Sequence, residues 1–263
     1  MTGATFARHL ARFLVISALA CICLWPLKAA AQTDEIQVYD GGIVDVGKFN
    51  LTWHNNYIAS GSRTPAFPGG LVPRHTYDGV TEWAYGVTDW FEQGLYLPLY
   101  SVSPNRGGSF NGWKLRELFA VPDADNRMFV YAVNFEFSFN SKHWDPERHT
   151  SEIRPILGLH LGQWDFFFNP ILDNSYQGFK NLDFAPATRV AYNFNKTWAL
   201  AVEWYADFGP IKAFLPGDEQ SHQIFAVFDY QGEPFDIEAG IGWGLTAASD
   251  NLTFKLMLAR DLN

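Results

Sequence analysis

The feature that most constrains this chain is a two-residue alternation of apolar and polar side chains that recurs along its length. Phe49, Leu51, Trp53 and Tyr57 share one parity, while Asn50, Thr52, His54 and Asn56 share the other. Phe129, Tyr131, Val133, Phe135, Phe137 and Phe139 oppose Asn134, Glu136 and Ser138. Trp198, Leu200, Val202 and Trp204 oppose Thr197, Glu203 and Tyr205 in the same way. Successive side chains of a strand point to opposite faces, so each run makes one greasy and one polar surface. No helical period is as marked. The runs predict strands near 48–58, 81–89, 91–101, 111–121, 128–139, 151–161, 163–173, 181–193, 197–207, 221–230, 235–245 and 252–260. An even count of about twelve, most close to the length of a tilted spanning strand, predicts an all-β, antiparallel transmembrane β-barrel.

Connection lengths carry a second signal. Short links near 88–90, 122–127, 162–163, 193–196 and 231–234 alternate with longer ones at 59–80, 102–110, 140–150, 174–180, 208–220 and 246–251. Barrels of the outer membrane pair short periplasmic turns with long extracellular loops, which places both termini in the periplasm. Trp90, Trp164, Tyr192, Trp198 and Tyr230 then fall near the inner ends of the strands. Trp83, Tyr85, Trp113, Trp204 and Trp243 fall nearer the outer ends, as two interfacial girdles. Pro98, Pro155, Pro170 and Pro186 lie inside predicted strands, where each removes a ladder hydrogen bond, and predict bulges or fraying on the outer side. Glu117 falls on the lipid parity and predicts a bulge or register shift there. Glu35 to Tyr39 precedes the strands and reads as a plug or an extra edge.

Arg8 and Arg12 open a basic stretch, Phe13 to Trp25 is almost unbroken apolar sequence, and Ala29-Ala30-Ala31 supplies small residues before Gln32. That order predicts a cleaved secretory signal at 1–31 and a barrel domain at 32–263. Both cysteines, Cys21 and Cys23, fall in the leader, so the remainder has neither disulfides nor thiolate metal sites. Loss of the leader takes the formal charge from -9 to about -12, 16 basic against 28 acidic residues, which argues against nucleic acid as a partner.

Several stretches resemble a family of uncharacterised Gram-negative outer-membrane proteins labelled transporters, distantly similar to barrels linked with the meta-pathway of phenol degradation. The stretches are Asp34 to Asp40, Leu51 to Tyr57, Glu82 to Asp89, Leu95 to Pro98, Glu152 to Ile156, Leu182 to Ala187 and Lys255 to Leu258. The resemblance covers almost the whole expected mature chain and implies a barrel and transport, with no catalytic motif. The partners it implies are outer-membrane lipid and lipopolysaccharide, the barrel-assembly machinery and a small solute. The chain ends Asp261-Leu262-Asn263, without the terminal aromatic that many such barrels present for assembly.

The inward parity is rich in charge. Glu82, Lys114, Arg116, Glu136, Glu152, Arg154, Glu203 and Lys255 are pore-lining candidates, with Tyr96 and Tyr205. One reading is a selectivity belt. The other, favoured because signs alternate over strands four to six, is an ion-pair ladder filling the lumen. Further acids, Glu92, Asp165, Asp229 and Glu238 among them, predict a mildly cation-favouring interior. Tyr100, Phe167 and Phe225 extend an aromatic lining suited to aromatic or apolar compounds. His143, Asp145, Glu147 and His149 alternate in one loop and would suit a zinc-like ion, although a polar loop explains them as well and no metal or other cofactor is expected. His54 and His160 lack a serine in any nucleophile motif, so no enzyme is expected. The chain reads as an outer-membrane channel or transporter for a small solute. The alternative is a closed barrel with a structural or binding role.

Overall fold

The computed structural model describes residues 35–262. The expected leader at 1–31 lies outside them. Fourteen strand segments follow in order: β1 (Phe49–Ser60), β2 (Tyr77–Thr88), β3 (Phe91–Ser103), β4 (Gly107–Ala120), β5 (Phe129–Asn140), β6 (His149–Leu161) and β7 (Trp164–Asn169). Then come β8 (Leu172–Asn174), β9 (Asp183–Phe184), β10 (Ala187–Asn193), β11 (Trp198–Asp207), β12 (Ser221–Tyr230), β13 (Asp236–Gly244) and β14 (Leu252–Asp261). β7 continues into β8, and β9 into β10, so the segments make twelve wall strands. β1 pairs with β14, β5 with β6 and β7 with β10, all antiparallel, and the wall closes on itself. Closure leaves no edge with unpaired backbone groups, which a strand structure needs in lipid.

Every expected strand is present, with shifted limits. β2 begins at Tyr77 rather than 81, and the expected loop at 102–110 shrinks to three residues because β3 and β4 pair as far as Ser103↔Gly107. The longer β2 also moves the expected outer girdle. Trp83 pairs with Leu51 at mid-strand, and Tyr85 pairs with Phe49 toward the rim of short turns, so neither lies at the long-loop rim. The short-turn rim also carries aromatic pairs held by cross-strand register, Trp164–Tyr192 at 4.9 Å and Trp198–Tyr230 at 4.5 Å between ring centroids.

Prolines set the irregularities. Around Pro98 the β3 register slips between Tyr96 and Leu99. One residue of slip reverses the facing of everything beyond it. Leu99 therefore turns inward and is buried, and Tyr100 turns outward, where it accepts a hydrogen bond from Trp53 Nε1 at 3.0 Å. Tyr100 is thus not part of the lumen lining. Pro170 separates β7 from β8, and Pro186 separates β9 from β10. β6 runs unbroken through Pro155, contrary to the expected fraying. Its pairing on the far side is interrupted, however, between Ile153↔Leu172 and Leu157↔Phe168. Extending these registers sets Pro155 opposite Pro170, and extending Ala187↔Asn169 and Leu172↔Phe184 sets Pro170 opposite Pro186. Three prolines thus cross three adjacent strands at one height. No bulge relieves Glu117, which pairs in register with Gln93 and Phe135 and stays on the outer face.

The exterior is an apolar belt, carrying Leu157, Phe166, Leu200, Val202 and Phe228 exposed on its strands. The core is in the lumen. At the long-loop rim Leu71 and Trp144 fold inward onto Val80, Tyr96 and Leu99 and cover that side.

Candidate functional site

The residues before β1 do not form a strand. They rise from the short-turn rim as an extended segment inside the barrel, where Glu35, Ile36, Val38 and Tyr39 are all buried. Such a segment has unpaired backbone groups, and the wall supplies partners for them. Asn169 Oδ1 accepts from Tyr39 N–H at 2.7 Å, and Asn169 Nδ2 donates to the Tyr39 carbonyl at 3.0 Å. Lys255 Nζ donates to the Ile36 carbonyl at 3.1 Å, Arg154 Nη1 to that of Gln37 at 3.2 Å, and Val44 N–H to Glu92 Oε2 at 2.7 Å. Gly86 admits the segment as it leaves the lumen. A Cβ there would stand 2.2 Å from the Val44 carbonyl oxygen, and the backbone bonds Gly47 N–H to Gly86 O at 2.8 Å depend on that closeness.

Side chains alternate between apolar seats and charge. Ile36 packs with Ala191, Ala201, Phe225 and Val227, while Val38 packs with Val130, Phe167 and Ile171. Gly242 makes the first seat possible, since a Cβ there would lie 2.3 Å from the Phe225 ring. Tyr39 carries the polar contact. Its hydroxyl lies 2.6 Å from Tyr96 Oη, and the Arg154 guanidinium stacks 4.3 Å from its ring centroid.

Two ion networks surround the segment. In the first, Arg116 bridges Glu82, at 2.9 Å, and Glu92. Lys114 reaches Glu136 at 3.3 Å, while Arg154 holds Glu152 at 2.6 Å and Glu35 at 3.4 Å. His54 Nε2 meets Glu82 Oε2 at 3.0 Å. In the second, Arg189 binds Glu203, Asp229 and Glu238, and Lys255 binds Glu203 and, at 2.6 Å, Glu238. Tyr205 donates to Glu203 Oε2 at 2.7 Å. At the short-turn rim, burial first and then Asp40 push the Asp125 carboxyl above the usual carboxylate range.

All ten sequence candidates therefore point inward, and the structure brings them into these two networks. Lys114, Arg116, Glu136, Glu82 and Tyr96 sit beside Tyr39, with Glu152 and Arg154 next to them; Glu203, Lys255 and Tyr205 gather on the other wall. Glu136, Glu203 and Tyr96 are essentially inaccessible. Arg189 and Asn169 are not among the sequence candidates, His54 enters there only as a histidine without a nucleophile, and Glu35 to Tyr39 only as a plug or an extra edge with no partners assigned. The loop histidines do not converge. His143 Nε2 lies 3.1 Å from Asn111 Oδ1, and Asp145 Oδ1 accepts from Glu147 N–H at 2.7 Å.

No protein-family model matches the chain, and no curated protein matches it. Solved structures do. An outer-membrane channel from Pseudomonas putida F1 matches at TM-score 0.57 with 12% identity, over 87% of this chain and 100% of that one. The NanC porin matches at TM-score 0.54 with 10% identity, over 81% and 100% of the two chains. The KdgM porin, solved in complex with disordered oligogalacturonate, matches at TM-score 0.51 with 8% identity, over 81% and 99%. At such identities the likeness is one of fold: this chain has the closed twelve-stranded architecture of outer-membrane channel and porin barrels.

Proposed function

We propose that the protein is an outer-membrane channel for a small solute, with both termini periplasmic, and that residues 35–48 are a plug whose departure opens it. The observation that carries the reading is the way this segment is held. It contributes no strand to the wall and, apart from the backbone bonds of Gly47 and Lys48 to Gly86 at its exit, its backbone is bound by side chains, so residues 35–44 can leave without unzipping a ladder.

The seats left behind favour an aromatic or apolar solute. Phe225, Tyr205 and Phe167 surround the positions of Ile36 and Val38, and Tyr96 with Arg154 surrounds that of Tyr39. Mixed aromatic and charged walls of this kind bind rings through their faces and edges. Acids still outnumber bases in the two networks, so the open lumen favours cations. The fold likeness to channels supports the channel reading only, and the sequence resemblance to barrels linked with phenol degradation is compatible with an aromatic solute.

Planar-bilayer recording of the purified protein tests the reading. Full-length protein is expected to show rare, brief openings, and a variant lacking residues 35–46 sustained, cation-selective ones. Silence from both proteins would support instead the closed barrel with a structural or binding role.

A further inference from the structure

Three potential metal ligands meet where the plug touches the wall. Glu35 comes from the plug, His54 from β1 and Glu82 from β2. One ligand atom from each lies within 4.8 Å of the others, and all three residues are buried. Among the described residues this is the one such trio. A tetrahedral ion with bonds of about 2.1 Å separates its ligand atoms by roughly 3.4 Å, so the 3.0 Å between His54 Nε2 and Glu82 Oε2 is already close to that spacing. No pair of ligand atoms would have to close by more than about 1.4 Å.

The surroundings are those of a supported site. Glu82 gives its other oxygen, Oε1, to Arg116 at 2.9 Å. Glu35 gives Oε1 to the Tyr39 hydroxyl at 3.3 Å and to Arg154 at 3.4 Å. Among the described residues Glu35 Oε2 has no hydrogen-bond partner, and the residue is only 6% exposed. Leaving a carboxylate oxygen in that condition costs free energy that a cation would recover. Outer partners of this sort fix the orientation of ligating carboxylates. Five carboxylates gather here, Glu35, Glu82, Glu92, Glu136 and Glu152, against Lys114, Arg116 and Arg154, an excess among the described residues that suits a doubly charged ion.

We propose that Glu35, His54 and Glu82 bind a divalent transition-metal ion of the zinc class, which clamps the N-terminal segment to the wall. One imidazole and two carboxylates, with a fourth position for water, suit zinc better than calcium or magnesium, which prefer all-oxygen sites. Binding itself follows from the three side chains; the clamp as a regulator rests on the plug reading above.

The test uses the full-length protein, purified in detergent and stripped with a chelator. Zinc chloride is titrated by calorimetry, zinc content is measured after gel filtration, and heat-modifiable gel mobility confirms that each variant is folded. One zinc per chain is expected, bound at least tenfold more weakly by Glu35→Gln and by His54→Gln, and unaffected by His143→Gln with His149→Gln. Absence of stoichiometric zinc, or equal affinity in Glu35→Gln, overturns the site. In bilayers, zinc is expected to cut the opening frequency of the wild type at least tenfold. Ligand-dependent binding with unchanged openings upholds the site and overturns the clamp. Openings in the variant lacking residues 35–46, combined with no zinc uptake by the wild type, uphold the plug and overturn the site.

Discussion

Lys255 is buried to within 3% of its surface, yet its ammonium serves Glu203, Glu238 and the Ile36 carbonyl together. Removing one member of a buried ion network leaves the others uncompensated, at about 3–5 kcal/mol. Lys255→Met is therefore expected to lower the heat-modification temperature of the barrel clearly, whereas replacement of the exposed Lys142 should not. Asn169 acts differently, because both its hydrogen bonds go to the plug backbone. In Asn169→Ala two buried groups of Tyr39 lose their partners, each worth roughly 1–3 kcal/mol. The expected result is a marked rise in channel openings with little change in barrel unfolding; unchanged openings would count against the role given to this side chain. Inward charge was readable from the strand period alone. Arg189 was readable too, since Glu203, Asp229 and Glu238 on one wall with Lys255 alone demand a second cation. Glu35, Tyr39 and Asn169 were not, because Tyr39 meets Asn169 across 130 residues and Glu35 meets Arg154 across 119, through a segment that has no period.

At the scale of elements, periodicity located every strand, but it gave the facing of side chains only up to the first slip. Pro98 shows why: the alternation continues in the sequence, while the bulge reverses the faces and puts Tyr100 outside. The boundary of β2 went astray for a related reason. Tyr77 to Val80 belongs to the strand, although Asp78 and Gly79 are residue types depleted in strands. The row formed by Pro155, Pro170 and Pro186 removes three amide donors at one height, all in neighbouring strands. Local opening is easiest where ladder bonds are fewest. Hydrogen exchange should therefore be at least tenfold faster over 169–172 and 184–187 than in the continuous ladder of β12 and β13. Uniform protection around the wall would contradict the interruption.

At the scale of the molecule, the barrel and its plug are built on different rules. The wall is held by closed backbone ladders and an apolar exterior, the arrangement that hydrocarbon requires. The plug is held mainly by side chains, in a lumen whose charges are joined into two networks with an excess of acids. Separating the two kinds of bonding lets one part move while the other stays folded. The most direct measurement tethers them. An ideal Cβ at Gly41 lies 3.5 Å from Ala132 Cβ, within the range a disulfide spans, and the native cysteines both lie before residue 35. Gly41 has φ 85° and a Cβ there would also stand 2.9 Å from Val130 Cγ1, so cysteine carries backbone strain and requires a small shift of the Val130 side chain. In single-channel recordings of the Gly41→Cys, Ala132→Cys double variant, the oxidised protein should stay closed and added reductant should release openings. Conductance that is the same before and after reduction, with the disulfide verified by mass spectrometry, would contradict a movable plug.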